Sequence, residues 1–185
     1  MRKILFVIGS LRAKSFNRQL AVEAARMLEG KAEVSWLDYA GLPLVNQDEE
    51  FPASEQLTRV REEVKRADGV WIFTPEYNGS YPGHLKNLFD WLSRPLEAGN
   101  YSVPTVVAGK KMCLSGAGGR AATAGCRAKL GELLHALQAN LMDAPQAGIA
   151  LTPDCWATDV LSLTDGQRAD LQAQAGAFLK FLDNE

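Results

Sequence analysis

Histidine occurs only twice in this 185-residue chain and cysteine only three times. Cys113, Cys126 and Cys155 lie far apart with no C-x-x-C spacing, so the sequence carries no zinc or dithiol signature and the thiols are expected to be reduced and mostly structural. His84 and His135 have no Ser or Cys at nucleophile-elbow spacing beside them, which argues against a histidine-based hydrolase; both are read as satisfied surface or core residues. Long apolar runs are also missing. The stretch after Met1-Arg2-Lys3 ends at Ile8, too short for a signal-peptide core, and nothing approaches the roughly 18 residues that span a bilayer. Net charge is −2 with Lys and Arg dispersed, leaving no basic face for nucleic acid or an anionic membrane. The expectation is a cytoplasmic protein with neither of those partners and no bound metal. No G-x-x-x-x-G-K-[ST] is present, which removes the P-loop for nucleoside triphosphates.

What the chain does have is alternation. Apolar runs near 3–8, 32–37, 69–74, 110–115 and 147–151 read as strands, and amphipathic stretches near 15–29, 54–67, 83–93, 120–139 and 165–182 read as helices. Gly30 is the stop signal of the first helix and Ser54 the start of the second. Five strands joined by crossover helices predict an α/β fold, flavodoxin-like, with a doubly wound five-stranded parallel sheet in the order 2-1-3-4-5 and helices on both faces. The hydrophobic fraction of 46% and charged fraction of 23% suit one globular domain over 1–185. Two connections, 38–52 and 94–109, are too long for simple turns. The acidic run Asp48-Glu49-Glu50 in the first is read as solvated. Trp36, Trp71, Trp91 and Trp156 are read as core or interface.

Three strand ends carry candidate chemistry. After the first strand comes Gly9-Ser10-Leu11-Arg12-Ala13-Lys14-Ser15-Phe16-Asn17-Arg18. Ser15 or Asn17 can cap the following helix, whose first N–H groups and positive dipole end favour an anion, while Arg12 can fork onto phosphate oxygens and Ser10 and Ser15 donate hydroxyl hydrogen bonds. An ordinary N-cap beside solvated basic residues is the plainer alternative. After the third strand, Thr74-Pro75-Glu76-Tyr77-Asn78-Gly79-Ser80-Tyr81-Pro82-Gly83 combines rigid prolines, glycines, an amide and aromatic rings, a combination suited to a planar ligand. After the fourth, Ser115-Gly116-Ala117-Gly118-Gly119-Arg120-Ala121 matches G-x-G-x-x-A. Too little chain follows for a complete dinucleotide fold, so it is read either as a third wall of the same site or as a small-residue turn that lets strand and helix pack closely. Asp90 and Glu76 do not form a convincing acid–base pair.

These motifs, with Pro82-Gly83-x-Leu85-Lys86-Asn87-x-x-Asp90-Trp91, resemble the NADPH-dependent FMN reductase family over nearly the whole chain. The resemblance implies a flavodoxin-like fold, bound FMN, NADPH or NADH as co-substrate, and reduction of a small-molecule acceptor such as a quinone, free flavin, an azo compound or chromate by ping-pong exchange. It further implies that Ser10, Arg12, Ser15 and Asn17 hold the FMN phosphate, that Pro75, Glu76, Tyr77, Asn78 and Gly79 line the isoalloxazine ring, and that Ser115, Gly116 and Gly119 close the far side. The flavin itself would carry the chemistry, with no protein acid or base. A flavodoxin-like electron carrier or a redox-sensing module reduced by a partner protein is the alternative. Members of such families often pair across the flavin site, and Leu85, Leu88, Phe89, Trp91 and Leu92 on one short helix offer more apolar surface than one sheet face readily covers. A homodimer or homotetramer is therefore expected.

Overall fold

The computed structural model describes residues 1–184. Strands β1 (Arg2–Ile8), β2 (Ala32–Trp36), β3 (Gly69–Phe73), β4 (Lys111–Gly118), β5 (Asn140–Leu141) and β6 (Gly148–Ala150) form one parallel sheet. Its order is β2-β1-β3-β4-β5, as the strand spacing predicts. The fifth position is shared: β5 pairs with Lys111 and Met112 at the start of β4, and β6 with Gly116 to Gly118 at its end. Only the second of these is visible in the sequence, because the two residues of β5 are too few to leave a period.

The helices are α1 (Phe16–Leu28), α2 (Glu55–Arg66), α3 (Gly83–Leu92), α4 (Ala124–Ala136), α5 (Pro153–Thr158) and α6 (Asp165–Asp183). The short α5 was not anticipated. Ser15 caps α1, its Oγ accepting from the Arg18 N–H, and Ser54 caps α2 in the same way through the Leu57 N–H. Alternation along the strands sorts side chains onto two faces. Ile4, Phe6, Ile8, Trp71 and Phe73 pack against Leu20 and Ala24 of α1 and Leu171 and Phe178 of α6. Leu5, Val7, Val70, Ile72 and Leu114 pack against Val60 and Val64 of α2, Leu88 and Phe89 of α3, and Leu130 and Leu134 of α4.

Several expectations change. Strand β4 runs on through Gly118, so Ser115 and Gly116 lie in a strand and not in a loop, and the next helix begins at Ala124 and not at 120. Leu85, Leu88, Phe89, Trp91 and Leu92 are all 2% exposed or less within this single chain, so α3 offers no spare apolar face to a partner. Trp71 and Trp91 are core residues, but Trp36 and Trp156 are partly exposed. Glu50 is buried, not solvated: Arg94 donates to both of its carboxylate oxygens, at 3.0 and 2.8 Å, clasping the two long connections together. Among the described residues no helix is long and apolar enough to cross a membrane.

Candidate flavin site

The register brings three strand ends level. Ile8 pairs with Phe73 and Phe73 with Ser115; the Gly9 N–H then donates to the Phe73 carbonyl and the Thr74 N–H to the Ser115 carbonyl. Thr74 is pinched between two glycines. A Cβ on Gly9 would meet Thr74 Oγ1 at 3.0 Å, and one on Gly116 would lie 2.5 Å from the Thr74 carbonyl oxygen and overlap Thr123 Oγ1. Glycine is required at Gly116 for the strand ends to approach this closely, and at Gly9 any side chain would be tight against Thr74.

The first loop holds two of its hydroxyls and two of its cations at the N-terminus of α1. Ser10 and Ser15 are buried at the foot of the loop, and the first turn of α1 presents the N–H groups of Phe16 and Asn17, which have no intrahelical partner by helix geometry. Arg12 and Lys14 are exposed above them. Their counter-ion is one the sequence did not reveal: Asp159, in left-handed conformation after α5, pairs with Arg12 and lies 3.6 Å from Lys14. The Arg12 hydrogen bond holds the Asp159 carboxyl below the usual carboxylate range. The Gln19 side chain fixes this strap, donating to the Asp159 carbonyl and accepting from the Leu161 N–H, while Trp156 meets Phe16 edge to face at 5.3 Å. No local signal could have paired Asp159 with Arg12, 147 residues apart.

Asn17 is placed differently from expectation. Its amide donates to the Ala117 carbonyl at 2.9 Å and accepts from the Ala117 N–H at 2.8 Å, so the side chain ties the loop to β4 and is committed there, leaving only its backbone N–H toward an anion. Glu76 is also committed elsewhere. Its carboxylate accepts from the Cys126 N–H at 2.9 Å and caps α4, whose own N-cap residue, Thr123, makes no side-chain cap.

The second loop ends in a tight hairpin. Tyr77 and Ser80 exchange both backbone hydrogen bonds across Asn78 and Gly79, whose φ values of 53° and 69° are those of a type I′ turn. Tyr77, Asn78 and Gly79 are exposed while Pro75 is buried beneath them, and Lys129 of α4 donates to the Gly79 carbonyl at 2.7 Å. An exposed, rigid rim results.

Ser115 does not face this rim. It is fully buried, its Oγ accepting from Trp71 Nε1 at 2.8 Å and donating to Gln174 Oε1 at 2.7 Å, and Gln174 in turn accepts from the Ala147 N–H and donates to the Leu114 carbonyl. Ser115 is therefore a packing residue that joins β3, β4 and α6. Gly116 is buried too, so of the three residues expected on the far side only Gly119 is exposed, with nothing within 4 Å of an added Cβ.

Residues 2–154 match the family model for NADPH-dependent FMN reductase. The chain belongs to that family. It is 32% identical to an NAD(P)H-dependent FMN reductase of Pseudomonas aeruginosa over 178 residues, 95% of this chain and 92% of the relative. It is 45% identical to a 2-hydroxy-1,4-benzoquinone reductase of Burkholderia sp over 93 residues, which is 50% of this chain and 51% of that one. In three dimensions it superposes on the flavoenzyme NAD(P)H:(acceptor) oxidoreductase FerB of Paracoccus denitrificans with a TM-score of 0.87 and 29% identity, covering 99% of this chain and 98% of that one. As a member of the FMN reductase family the chain is an NAD(P)H-dependent reductase, and the family's name implies FMN and a nicotinamide nucleotide.

The residues present fit FMN. An anion loop at a helix N-terminus stands beside a rigid, exposed Asn-Gly rim, on the edge where β1 and β3 diverge in connection, the switch point of the sheet.

Proposed function

We propose that this chain binds FMN noncovalently and uses NADPH or NADH to reduce quinones, with free flavin, azo compounds and chromate as further acceptors. Ser10, Arg12, Ser15 and the N–H groups of Phe16 and Asn17 hold the phosphate in this reading; Pro75, Tyr77, Asn78, Gly79 and Gly119 border the ring. Bound there, FMN supplies a two-electron relay that takes hydride from the nicotinamide and passes electrons to the acceptor. The chain's contribution is binding, orientation and access. The I′ turn holds Asn78 exposed on the rim, where its amide would meet the ring edge, and the exposure of Tyr77 to Gly79 would leave room for nucleotide and acceptor in turn at one ring face.

The observation that carries the reading is the register that sets Gly9, Thr74 and Ser115 level, because it puts the anion loop and the rim on one edge. Asp159 leaves Arg12 and Lys14 with one net positive charge between them, to which the α1 dipole adds. The test is anaerobic mixing of purified protein, FMN and NADPH, followed by a quinone. Bleaching of the flavin band without a partner protein and its return on adding quinone are expected; a band that bleaches only with an added protein would favour an electron carrier. Assembly as a dimer or tetramer is part of the proposal. The surface for it is sought at the exposed Leu44, Phe51, Tyr101 and Val103 of the two long connections, not at α3. Light scattering reads the mass directly.

A further inference from the structure

A crevice opens where the first loop faces the end of β2, on the far side of β1 from β3 and its Asn78-Gly79 rim. It measures about 370 Å³ and lies between the end of β1 and the end of β2. Its walls include Ser10, Arg12 and Arg18 on one side and Trp36 and Asp38 on the other, with Tyr39 beneath. The floor is fixed. Tyr39 is buried and donates to the Ile8 carbonyl at 2.7 Å, and the His84 ring stacks behind it at 5.8 Å. The rim of β2 is fixed as well, since Arg59 donates to the Asp38 carbonyl at 2.5 Å and Trp36 meets Phe6 edge to face at 5.3 Å.

Arg12 is paired with Asp159, but two other charges here are uncommitted. Arg18 is exposed and, among the described residues, makes no ion pair; its guanidinium lies 5.8 Å from the centre of the Trp36 ring, whose side chain is partly open to solvent. The Asp38 carboxylate is likewise without a partner among the described residues. Neither residue caps a helix or braces the core. A free guanidinium and a free carboxylate flanking one concave, aromatic-walled space are the groups that recognise a phosphorylated or a free sugar diol beside a planar base.

Position narrows the ligand. In the sheet order β2-β1-β3-β4, the gap between β1 and β2 is two strand spacings from the gap between β3 and β4, about 10 Å along one edge. A dinucleotide whose nicotinamide lies on a ring bordered by the β3 and β4 ends can extend its adenosine half across that distance. In the Rossmann dinucleotide fold, whose sheet order differs from this one, an acidic residue serves the ribose 2′-hydroxyl and a nearby arginine serves a 2′-phosphate, and the chemistry of that recognition does not depend on the sheet order. Here both are present.

We propose that this crevice holds the adenosine ribose of the reducing dinucleotide, Arg18 reading the 2′-phosphate of NADPH and Asp38 the free 2′-hydroxyl of NADH. The proposal rests on the NAD(P)H reductase reading above. It makes these two side chains opposed specificity determinants, since removing the cation penalises one nucleotide and removing the anion the other.

The experiment compares wild type, Arg18→Ala and Asp38→Asn, each checked for equal FMN content by absorbance. Steady-state kinetics use NADPH, NADH and reduced nicotinamide mononucleotide, which lacks the adenosine half; calorimetry uses adenosine 2′,5′-bisphosphate as the direct probe. Arg18→Ala should raise KM for NADPH about tenfold or more, leave NADH within about twofold and leave the mononucleotide unchanged, and should weaken the bisphosphate equally. Asp38→Asn should raise KM for NADH and not that for NADPH. Loss of a charged contact to the nucleotide should move KM and leave kcat alone. Bisphosphate binding that is absent in wild type or indifferent to Arg18→Ala, or KM shifts equal for both dinucleotides, would overturn the crevice assignment while flavin bleaching still stood. Failure of every nicotinamide compound to bleach the flavin would instead sink the reductase reading, and the bisphosphate titration would still decide the crevice.

Discussion

The segment 9–18 and the segment 115–119 look alike in sequence: each follows an apolar strand, each mixes serine with glycine, and each leads into a helix. The structure uses them for opposite purposes. The first leaves the sheet at once and carries Arg12 and Lys14 into solvent over a helix N-terminus. The second stays in the sheet for four more residues, and its serine and first glycine are consumed by packing against Trp71, Gln174, Thr74 and Thr123. Hydroxyls and glycines at a strand end thus signal close approach of backbone, and whether a ligand or another strand does the approaching depends on what lies across the gap. Asn17 joins the two, standing in the first segment and bonding to the second.

The sharpest way to break this contrast is to fill the packed segment. Gly116→Val forces a side chain into the Thr74 carbonyl, which is backbone and cannot move aside, so a loss of about 3 kcal/mol or more is expected. Differential scanning calorimetry should show a melting point lower by about 6 °C or more, with or without FMN. Asn17→Ala comes next. It strips partners from the buried N–H and carbonyl of Ala117, a cost of about 2 to 4 kcal/mol in urea denaturation, and should weaken FMN only as far as the loop loosens. A variant that lost FMN and kept full stability would return Asn17 to direct phosphate binding.

Arg12→Ala should behave in the opposite way. FMN should bind at least about tenfold more weakly by calorimetry while riboflavin, which lacks the phosphate, is unaffected and the melting point stays put. Equal losses for both flavins would show that the first segment does not read phosphate. Ser115→Ala, by comparison, should cost stability and leave the ratio of the two flavin affinities unchanged.

The smallest effect expected is a pH dependence at His84. Burial lowers its pKa, and its Nε2 has no hydrogen-bond partner, so the folded state resists protonation. The sign follows: the unfolded chain takes up a proton below about pH 6.5, the folded chain only at lower pH, so this stability is whole above that value and declines as pH falls toward the folded pKa. His84→Phe, which keeps a ring against Tyr39, should flatten that part of a stability–pH curve relative to wild type. Identical slopes would remove His84 as the source.

Sheet order, the apolar face of α2 and its cap at Ser54 were legible in the sequence because each is written in local periodicity or in a residue type with one local use. The place of the first loop was legible for the same reason: cations and hydroxyls directly after a strand and before a helix put them at a helix N-terminus. Tertiary structure alone decided the rest. It chose between Ser15 and Asn17 as the cap, turned Glu76 toward α4, buried Ser115 and Glu50, covered α3 within the chain, and brought Asp159 to Arg12 and Asp38 across from Arg18. Apart from the cap, where Ser15 meets the N–H of nearby Arg18, the partners lie far away along the chain, and a polar side chain's role is set by the nearest unsatisfied group in space, which periodicity does not encode.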